Sequence, residues 1–483
     1  MFDAIVIGAG VIGCSIAREL SRYDIKIGVL ESEVDVATGS SGANSAIVHA
    51  GYDCQAGSMM ARMNVWGNSL YDVVSKELDV PFKRIGSLVL AFDEEDMNEI
   101  QKLFEQGQKN GVPGLKILSA QEVLQMEPNI NSNIIAALWA PSAGITCPYE
   151  LTVAMAENAI QNGVEFFLGY GVENIKRDGN IFNIKTTQGE FKTKYIINCA
   201  GVFSDDINRM LGGEEFKIIP RRGEYCLYDR KLGDMVKRVI FQPPSSLGKG
   251  VLVTPTVDGN LLIGPNAVDI DTKEDTSTTS WGLNFVYTKA LRTIPSLGRR
   301  DVIRVFSGIR AVADTGDFIL GASDEIPGLF YAAGICSPGL SAAPAIGQYM
   351  AELVYKYAGN INAKFNFNPY RKGIPRFREL NWSEKEKLIK GDNRYGQIVC
   401  RCETVTEGQI IEAINRPLPA LTIDAIKRRT RAGMGRCQGG FCTPKIMEIL
   451  NRERGIPLDE ITKGSGRSYI VSGRIKEGLR GDK

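Results

Sequence analysis

A mixed α/β protein with an inserted β-rich layer and a small C-terminal cysteine module is predicted by three observations. The chain enters a strand at once, Phe2-Asp3-Ala4-Ile5-Val6-Ile7, and passes through Gly8-x-Gly10-x-x-Gly13 into a helix. Strand-like and helix-like stretches then alternate to about residue 358. Four cysteines gather near the far end, as Cys400-x-Cys402 and Cys437-x4-Cys442.

Residues 3–31 read as strand, glycine turn, helix and strand, a Rossmann-like beginning. Ile16, Ala17 and Leu20 give the helix an apolar face, Ile25–Leu30 make the second strand, and Glu31 ends it. Segment 36–51, rich in Gly, Ser, Ala and Asn, reads as a loop feeding a helix near Met59–Leu78. Arg84–Phe92 reads as a strand, Glu94–Asn110 and Tyr149–Asn162 as helices, and Glu165–Gly169 and Tyr195–Ala200 as buried strands. Residues 216–304 hold strand-rich stretches at Glu224–Tyr228, Gly250–Val253 and Asn260–Ile263, and 328–358 read as strand, Gly/Ser/Pro turn and a helix from about Ala345. Residues 364–395 shift composition and suggest a linker or arm. The cysteine module spans 396–455, and a Gly- and Lys/Arg-rich tail, 456–483, is expected to be partly mobile.

At 483 residues the chain exceeds one ordinary core, so two or three domains are expected. Its 43% apolar and 23% charged residues are those of a globular protein. No apolar run reaches the roughly 18–20 residues that span a bilayer, and the N-terminus lacks a basic signal-like region. The expectation is therefore cytoplasmic, with reduced or metal-bound thiols rather than disulfides. A net charge of +1 hides an asymmetry: residues 371–483 carry 24 Lys+Arg against 14 Asp+Glu, and 1–370 carry 33 against 42. The bland reading is a solvated basic domain; the functional one is offset of an anionic thiolate centre or docking of an acidic partner. The run Lys427-Arg428-Arg429-Thr430-Arg431 lacks interleaved aromatics, which speaks against nucleic acid.

Gly8, Gly10 and Gly13 stand where a dinucleotide needs a tight turn, backbone approach to pyrophosphate and close helix packing, and Glu31 suits a ribose hydroxyl. The pattern alone serves FAD and NAD equally. Asn198-Cys199-Ala200-Gly201 reads either as an ordinary strand–turn–helix or as backbone closing over the nucleotide. Asp317 and the turn from Gly334 to Gly339 can supply further amides. His49, the only histidine, suits proton transfer near neutral pH or a structural role. Arg310, Arg221 and Arg222 offer planar forks for a carboxylate or phosphate, with surface ion pairing as the competing role. Cys14, Cys54, Cys147, Cys199, Cys226 and Cys336 read as small core residues. The quartet suits zinc or an iron–sulfur cluster. Its tight Cys-x-Cys spacing and the glycines at 433, 435, 439 and 440 favour [2Fe–2S].

Two resemblances cover nearly the whole chain. The first 360 residues resemble FAD-dependent oxidoreductases of the D-amino-acid-oxidase/glycerol-3-phosphate-dehydrogenase superfamily. The residues concerned are Gly8–Gly13, Glu31, Ala37-Thr38-Gly39-Ser40-Ser41-Gly42-Ala43-Asn44-Ser45 leading to His49-Ala50-Gly51, Asn198–Gly201 and Gly308-Ile309-Arg310. Val399-Cys400-Arg401-Cys402-Glu403 and the Arg428–Gly439 stretch resemble bacterioferritin-associated-ferredoxin-like (BFD-like) [2Fe–2S] domains, as found at the end of the catalytic A subunits of bacterial anaerobic glycerol-3-phosphate dehydrogenases. Pro220-Arg221-Arg222-Gly223-Glu224-Tyr225, Thr254–Gly259 and Gly264-Pro265-Asn266 look more like L-2-hydroxyglutarate dehydrogenases.

The resemblance implies an oxidoreductase domain over 1–363, with substrate-domain segments at about 81–144 and 216–304, and an α-rich BFD-like domain over 396–455. It implies FAD along Gly8, Gly10, Gly13, Glu31, Ser41, Asn44, Ser45, Ala200, Gly201, Asp317, Gly334, Gly339, Leu340 and Ser341. A [2Fe–2S] cluster would lie on Cys400, Cys402, Cys437 and Cys442. A small hydroxylated anion, glycerol 3-phosphate or a 2-hydroxy acid, would be anchored by Arg310 with Arg221 or Arg222, and His49 or water would take its hydroxyl proton. Electrons would pass to a partner subunit or flavoprotein, with any membrane contact peripheral and made through partner subunits at the inner face. A non-catalytic electron-transfer subunit is the alternative of another class.

Overall fold

The computed structural model describes residues 1–243, 250–359 and 361–473. Two compact units emerge: Met1–Ser32 with Val36–Arg371, and Lys372–Lys483 with Glu33–Asp35. The second unit thus begins at Lys372 and takes in most of the segment expected to be a linker. Of the tail, residues 474–483 lie outside the described residues.

In the first unit, five parallel strands lie in the spatial order Glu165–Leu168, Ile27–Glu31, Phe2–Ile7, Glu190–Asn198 and Leu329–Ala333. Phe2–Ile7 is an apolar run because a central parallel strand is covered on both faces. Helices Val11–Leu20, Pro148–Gln161 and Gly339–Ala358 pack around it, burying Ile16, Ala17, Leu151 and Ile346. Glu165–Leu168 was expected to be buried but is the sheet's edge, with its side chains only half covered or exposed.

The inserted layer is a nine-stranded sheet. Its longest pairing joins Ile218–Tyr228 to Val302–Ala313 in antiparallel register. One face packs a core of Val89, Leu138, Val239 and Ile145; the other packs Tyr228, Ile240, Ile263 and Val286 beneath helix Ser280–Thr293.

The second unit is helix-rich: Trp382–Gly391, Glu407–Ile414, Ile423–Thr430 and Thr443–Arg454, with a short hairpin of Ile398–Cys400 and Val405–Thr406. Ile410, Ile426, Ile446 and Leu450 form its core. Helix Trp382–Gly391 replaces the expected arm. It starts at a capping box in which Asn381 accepts from the Glu384 amide and Glu384 accepts from the Asn381 amide. Much of the basic run is consumed by carboxylates: Arg428 and Arg429 hold Asp35, and Arg431 holds Glu403. No helix among the described residues is long and apolar enough to cross a membrane.

Candidate functional site

The glycine loop is shaped by contacts that leave no room for side chains. Gly8 has φ of +102°, and a Cβ there would stand 2.5 Å from the Cys199 carbonyl oxygen; a Cβ on Gly13 would collide with the Gly8 carbonyl. The Asn198–Gly201 backbone therefore does close against the loop. Glu31 accepts from the Ala9 amide at 2.7 Å, and Ser41 Oγ accepts from the Val11 amide at 2.8 Å. Gly10 has no side chain to cap the helix, Ser41 takes only the Val11 amide, and no acid occupies the first helical turn, so this end keeps positive potential for an anion. Asn44 turns inward on its own loop, donating to the Ser40 and Ser41 carbonyls and accepting from the Ala46 amide.

A second uncapped helix start lies at Gly339, after the turn from Gly334. His49 donates its amide to Ser341 Oγ at 2.7 Å, and its carbonyl accepts from Asn68 at 2.8 Å. With its backbone fixed at both ends, the imidazole lies against Phe241, ring centroids 5.4 Å apart. The Asp317 side chain has a structural task of its own. Its carboxylate accepts from the Met59 and Met60 amides at 2.7 and 2.8 Å, capping helix Met59–Glu77, and also from the Phe318 amide.

Strand alternation separates the three arginines. Arg221 and Arg310 are cross-strand partners on one face, whereas Arg222 points to the other. Arg222 is buried against Asp275 at 2.6 Å and Ser277 at 3.1 Å, which removes it from the expected anchoring role. Arg221 is held in a two-pronged pair by Asp269 at 2.5 and 2.9 Å, so its charge is largely compensated as well. Arg310 alone of the three has no carboxylate partner among the described residues. It donates to the Asn266 carbonyl at 3.3 Å and lies where a Cβ on Gly223 would be 2.6 Å from its Nη2.

The loop of residues 40–45 crosses this same face. Ser40 Oγ donates to the Ile309 carbonyl, the Ala43 carbonyl fills the space where Gly308 would carry a Cβ, and Ser45 Oγ lies 3.3 Å from the Tyr225 hydroxyl. One loop therefore links the glycine turn, through Ser41, to the arginine face and on to His49. Asn266 and the stacked Tyr225–Phe306 pair were not singled out as site residues. Counting by twos from Arg221 along the strand reaches Gly223 and Tyr225, and that alternation was the available signal. The Asn266 Nδ2 is buried and has no hydrogen-bond partner in the described structure, while its Oδ1 accepts from the Glu224 amide.

In the second unit the four cysteines form two pairs. Cys402 Sγ and Cys437 Sγ are 3.6 Å apart, and Cys400 is hydrogen-bonded to Cys442. Two sulfurs on one tetrahedral metal with bonds of about 2.3 Å lie about 3.8 Å apart. No three His, Cys, Asp or Glu side chains among the described residues converge on a single metal position. Two close sulfur pairs suit the two irons of a [2Fe–2S] cluster. Main-chain amides supply the rest: those of Gly433 and Glu403 reach Cys400, and those of Phe441 and Gly439 reach Cys437. The Cys400 thiol is pulled down to about 6, by its bond to Cys442 and then by these amides, against burial. Cys442 is pushed up by the same bond and by burial. One member of that pair is thus ready as a thiolate, the form that iron requires. Cys400 and Cys442 are buried; Cys402 is exposed and Cys437 half-exposed.

Comparison with known proteins agrees with both halves. The family described as "FAD dependent oxidoreductase" matches residues 3–353, and "BFD-like [2Fe-2S] binding domain" matches 398–452. The chain is 52% identical to "Glycerol 3-phosphate dehydrogenase" of Caloramator mitchellensis across 99% of each. A structure titled "Dithionite reduced L-alpha-Glycerophosphate Oxidase from Mycoplasma pneumoniae with FAD bound" superposes with a TM-score of 0.73 at 31% identity, covering 77% of this chain and 98% of that one. "L-2-hydroxyglutarate dehydrogenase, mitochondrial" of Caenorhabditis elegans is 32% identical over 55% of this chain and 64% of that protein.

Proposed function

Because the chain belongs to the FAD-dependent oxidoreductase family and ends in a BFD-like [2Fe–2S] binding domain, we propose that it oxidises sn-glycerol 3-phosphate to dihydroxyacetone phosphate and hands the electrons to a partner protein. The observation that carries the substrate reading is Arg310, a half-buried guanidinium with no carboxylate partner among the described residues, set beside Asn266, whose buried Nδ2 has no hydrogen-bond partner there either. Such a site is incomplete until an anion enters it. Arg221 and Arg222 are already neutralised by Asp269 and Asp275 and do not compete for that anion.

When bound, FAD accepts the hydride and the cluster carries single electrons. The glycine loop, Glu31, Ser41 and the helix start at Gly339 would hold the dinucleotide. Arg310 grips the phosphate and orients the carbinol. His49 takes the hydroxyl proton, its ring held against Phe241 and its backbone fixed by Ser341 and Asn68. The stacked Tyr225 and Phe306 wall the arginine face and keep water from the reacting carbon.

Export of electrons, rather than direct use of dioxygen, is favoured by the domain content. The relative named a dehydrogenase aligns with this chain from end to end, whereas the structure titled an oxidase is spanned by 77% of it. L-2-hydroxyglutarate is the second reading, favoured by the Pro220–Tyr225 and Gly264–Asn266 stretches, which carry Arg221 and Asn266. Anaerobic titration of the holoenzyme with each compound tests the choice. Flavin bleaching by glycerol 3-phosphate is expected. Bleaching by L-2-hydroxyglutarate alone would transfer the assignment, and bleaching by neither would remove both.

A further inference from the structure

The loop that carries two of the four thiolates also holds a phenyl ring out in solvent. Phe441 is 83% exposed, between Gly440 and the buried Cys442. Its amide is committed to the Cys437 sulfur, so its main chain is fixed to the thiolate centre while its side chain is not packed. The open edge of the centre is the Cys402–Cys437 pair, on the same loop system. From Lys427 to Met447 there are six basic residues and no acidic one. Arg428, Arg429 and Arg431 are bound by Asp35 and Glu403, whereas Arg436 and Lys445, together with Arg401 between the first two cysteines, are exposed.

We propose that this face is the docking site of an electron-carrier protein whose contact surface has an apolar patch inside an acidic rim. The inference rests on the electron-export reading above and adds the place and the chemistry of the acceptor. An aromatic anchor in a charged surround matches the anatomy of protein interfaces, in which a central ring supplies affinity and the rim supplies steering. The occupant is acidic because the exposed Arg401, Arg436 and Lys445 outnumber the one exposed carboxylate nearby in the sequence, Glu448. Its contact is small and transient, as suits a carrier that must leave after each transfer. The two electrons taken from one substrate molecule leave in two encounters, each reducing one oxidised carrier by one electron, and two protons, that of the hydroxyl and the one that moved with the hydride, go to solvent.

The test uses cytochrome c and its lysine-succinylated form, which present one haem behind opposite surface charges. Full-length holoenzyme is reduced photochemically, so substrate identity does not enter, and mixed with each carrier in a stopped-flow instrument. The succinylated form should be reduced at least tenfold faster at low salt, with the advantage fading as ionic strength rises. Phe441→Ala should lower that rate at least tenfold, and Arg436→Glu with Lys445→Glu should reverse the preference between the two forms. Reduction of neutral benzoquinone and the visible spectra should stay at parental values, which excludes misfolding as the cause. Equal rates for both carriers, or no effect of Phe441→Ala, would overturn the proposal. So would a parental dimer that Phe441→Ala splits without slowing the carrier, because the ring would then be covering a second copy. Failure of glycerol 3-phosphate to bleach the flavin would sink only the substrate assignment.

Discussion

Arg310, Arg221 and Arg222 carry the same charge into different surroundings, and this difference is measurable. Arg310→Ala should lower kcat/KM by about 100-fold, the value of one or two charge-assisted hydrogen bonds, mostly through KM. Arg222→Ala should change KM little but cost about 1–3 kcal/mol in stability, because the buried Glu224 carboxylate loses the guanidinium 3.6 Å from it. Steady-state kinetics and urea unfolding together separate the two. The sequence presented three candidate anchors; only cross-strand register, which needs the long-range pairing of residues 218–228 with 302–313, shows which face each occupies. Glu214 makes a pH-dependent case. Burial raises its carboxyl, but hydrogen bonds from Tyr331, Ser323 and the Asp324 amide outweigh this and take it down to about 2. Its folded value lies below the unfolded one near 4.3, so its contribution is present above that pH and is lost as pH falls towards 2. Glu214→Gln should therefore be less stable than the parent at pH 7, with the gap narrowing between about pH 4 and pH 2 in urea midpoints.

At the scale of elements, helix Gly339–Ala358 was expected from about Ala345 because its first turns read as Gly, Ser and Pro. It begins six residues earlier and contains Pro344. Proline cannot donate to the carbonyl four residues back, that of Leu340. The Tyr71 hydroxyl fills the gap at 2.6 Å from the helix beside it. Burial pushes the Tyr71 hydroxyl well above its ordinary value, so it remains a donor. Tyr71→Phe should leave that carbonyl unpaired, cost about 1–3 kcal/mol and lower both Tm and flavin retention. Elements with strong apolar periodicity were legible almost to the residue: Met59–Leu78 was expected and Met59–Glu77 observed, and Glu94–Asn110 became Glu94–Lys109. The elements misread were those decided elsewhere. A partner tyrosine settles the helix at Gly339, and the reciprocal cap of Asn381 and Glu384 settles the helix at Trp382, although the second signal was present locally.

For the molecule as a whole, the glycine turn and the cysteine spacing marked the two ends of the chemistry in the sequence, because both motifs are local. The substrate face was not legible, since it is assembled from segments near residues 45, 225, 266 and 310. Division of labour predicts that Cys402→Ser will leave flavin bleaching by substrate at the parental rate while slowing reduction of a protein acceptor more than tenfold. Single-turnover and steady-state measurements check the two halves separately, and parental delivery to the acceptor would take the cluster off the route. The close Cys402–Cys437 pair also decides the fate of material handled in air. Once iron is lost, dioxygen can draw the hydrogens from both sulfurs as they join, and the crosslink bars fresh iron and sulfide. Aerated preparations should then titrate two thiols short and regain colour on reconstitution only after treatment with a reductant.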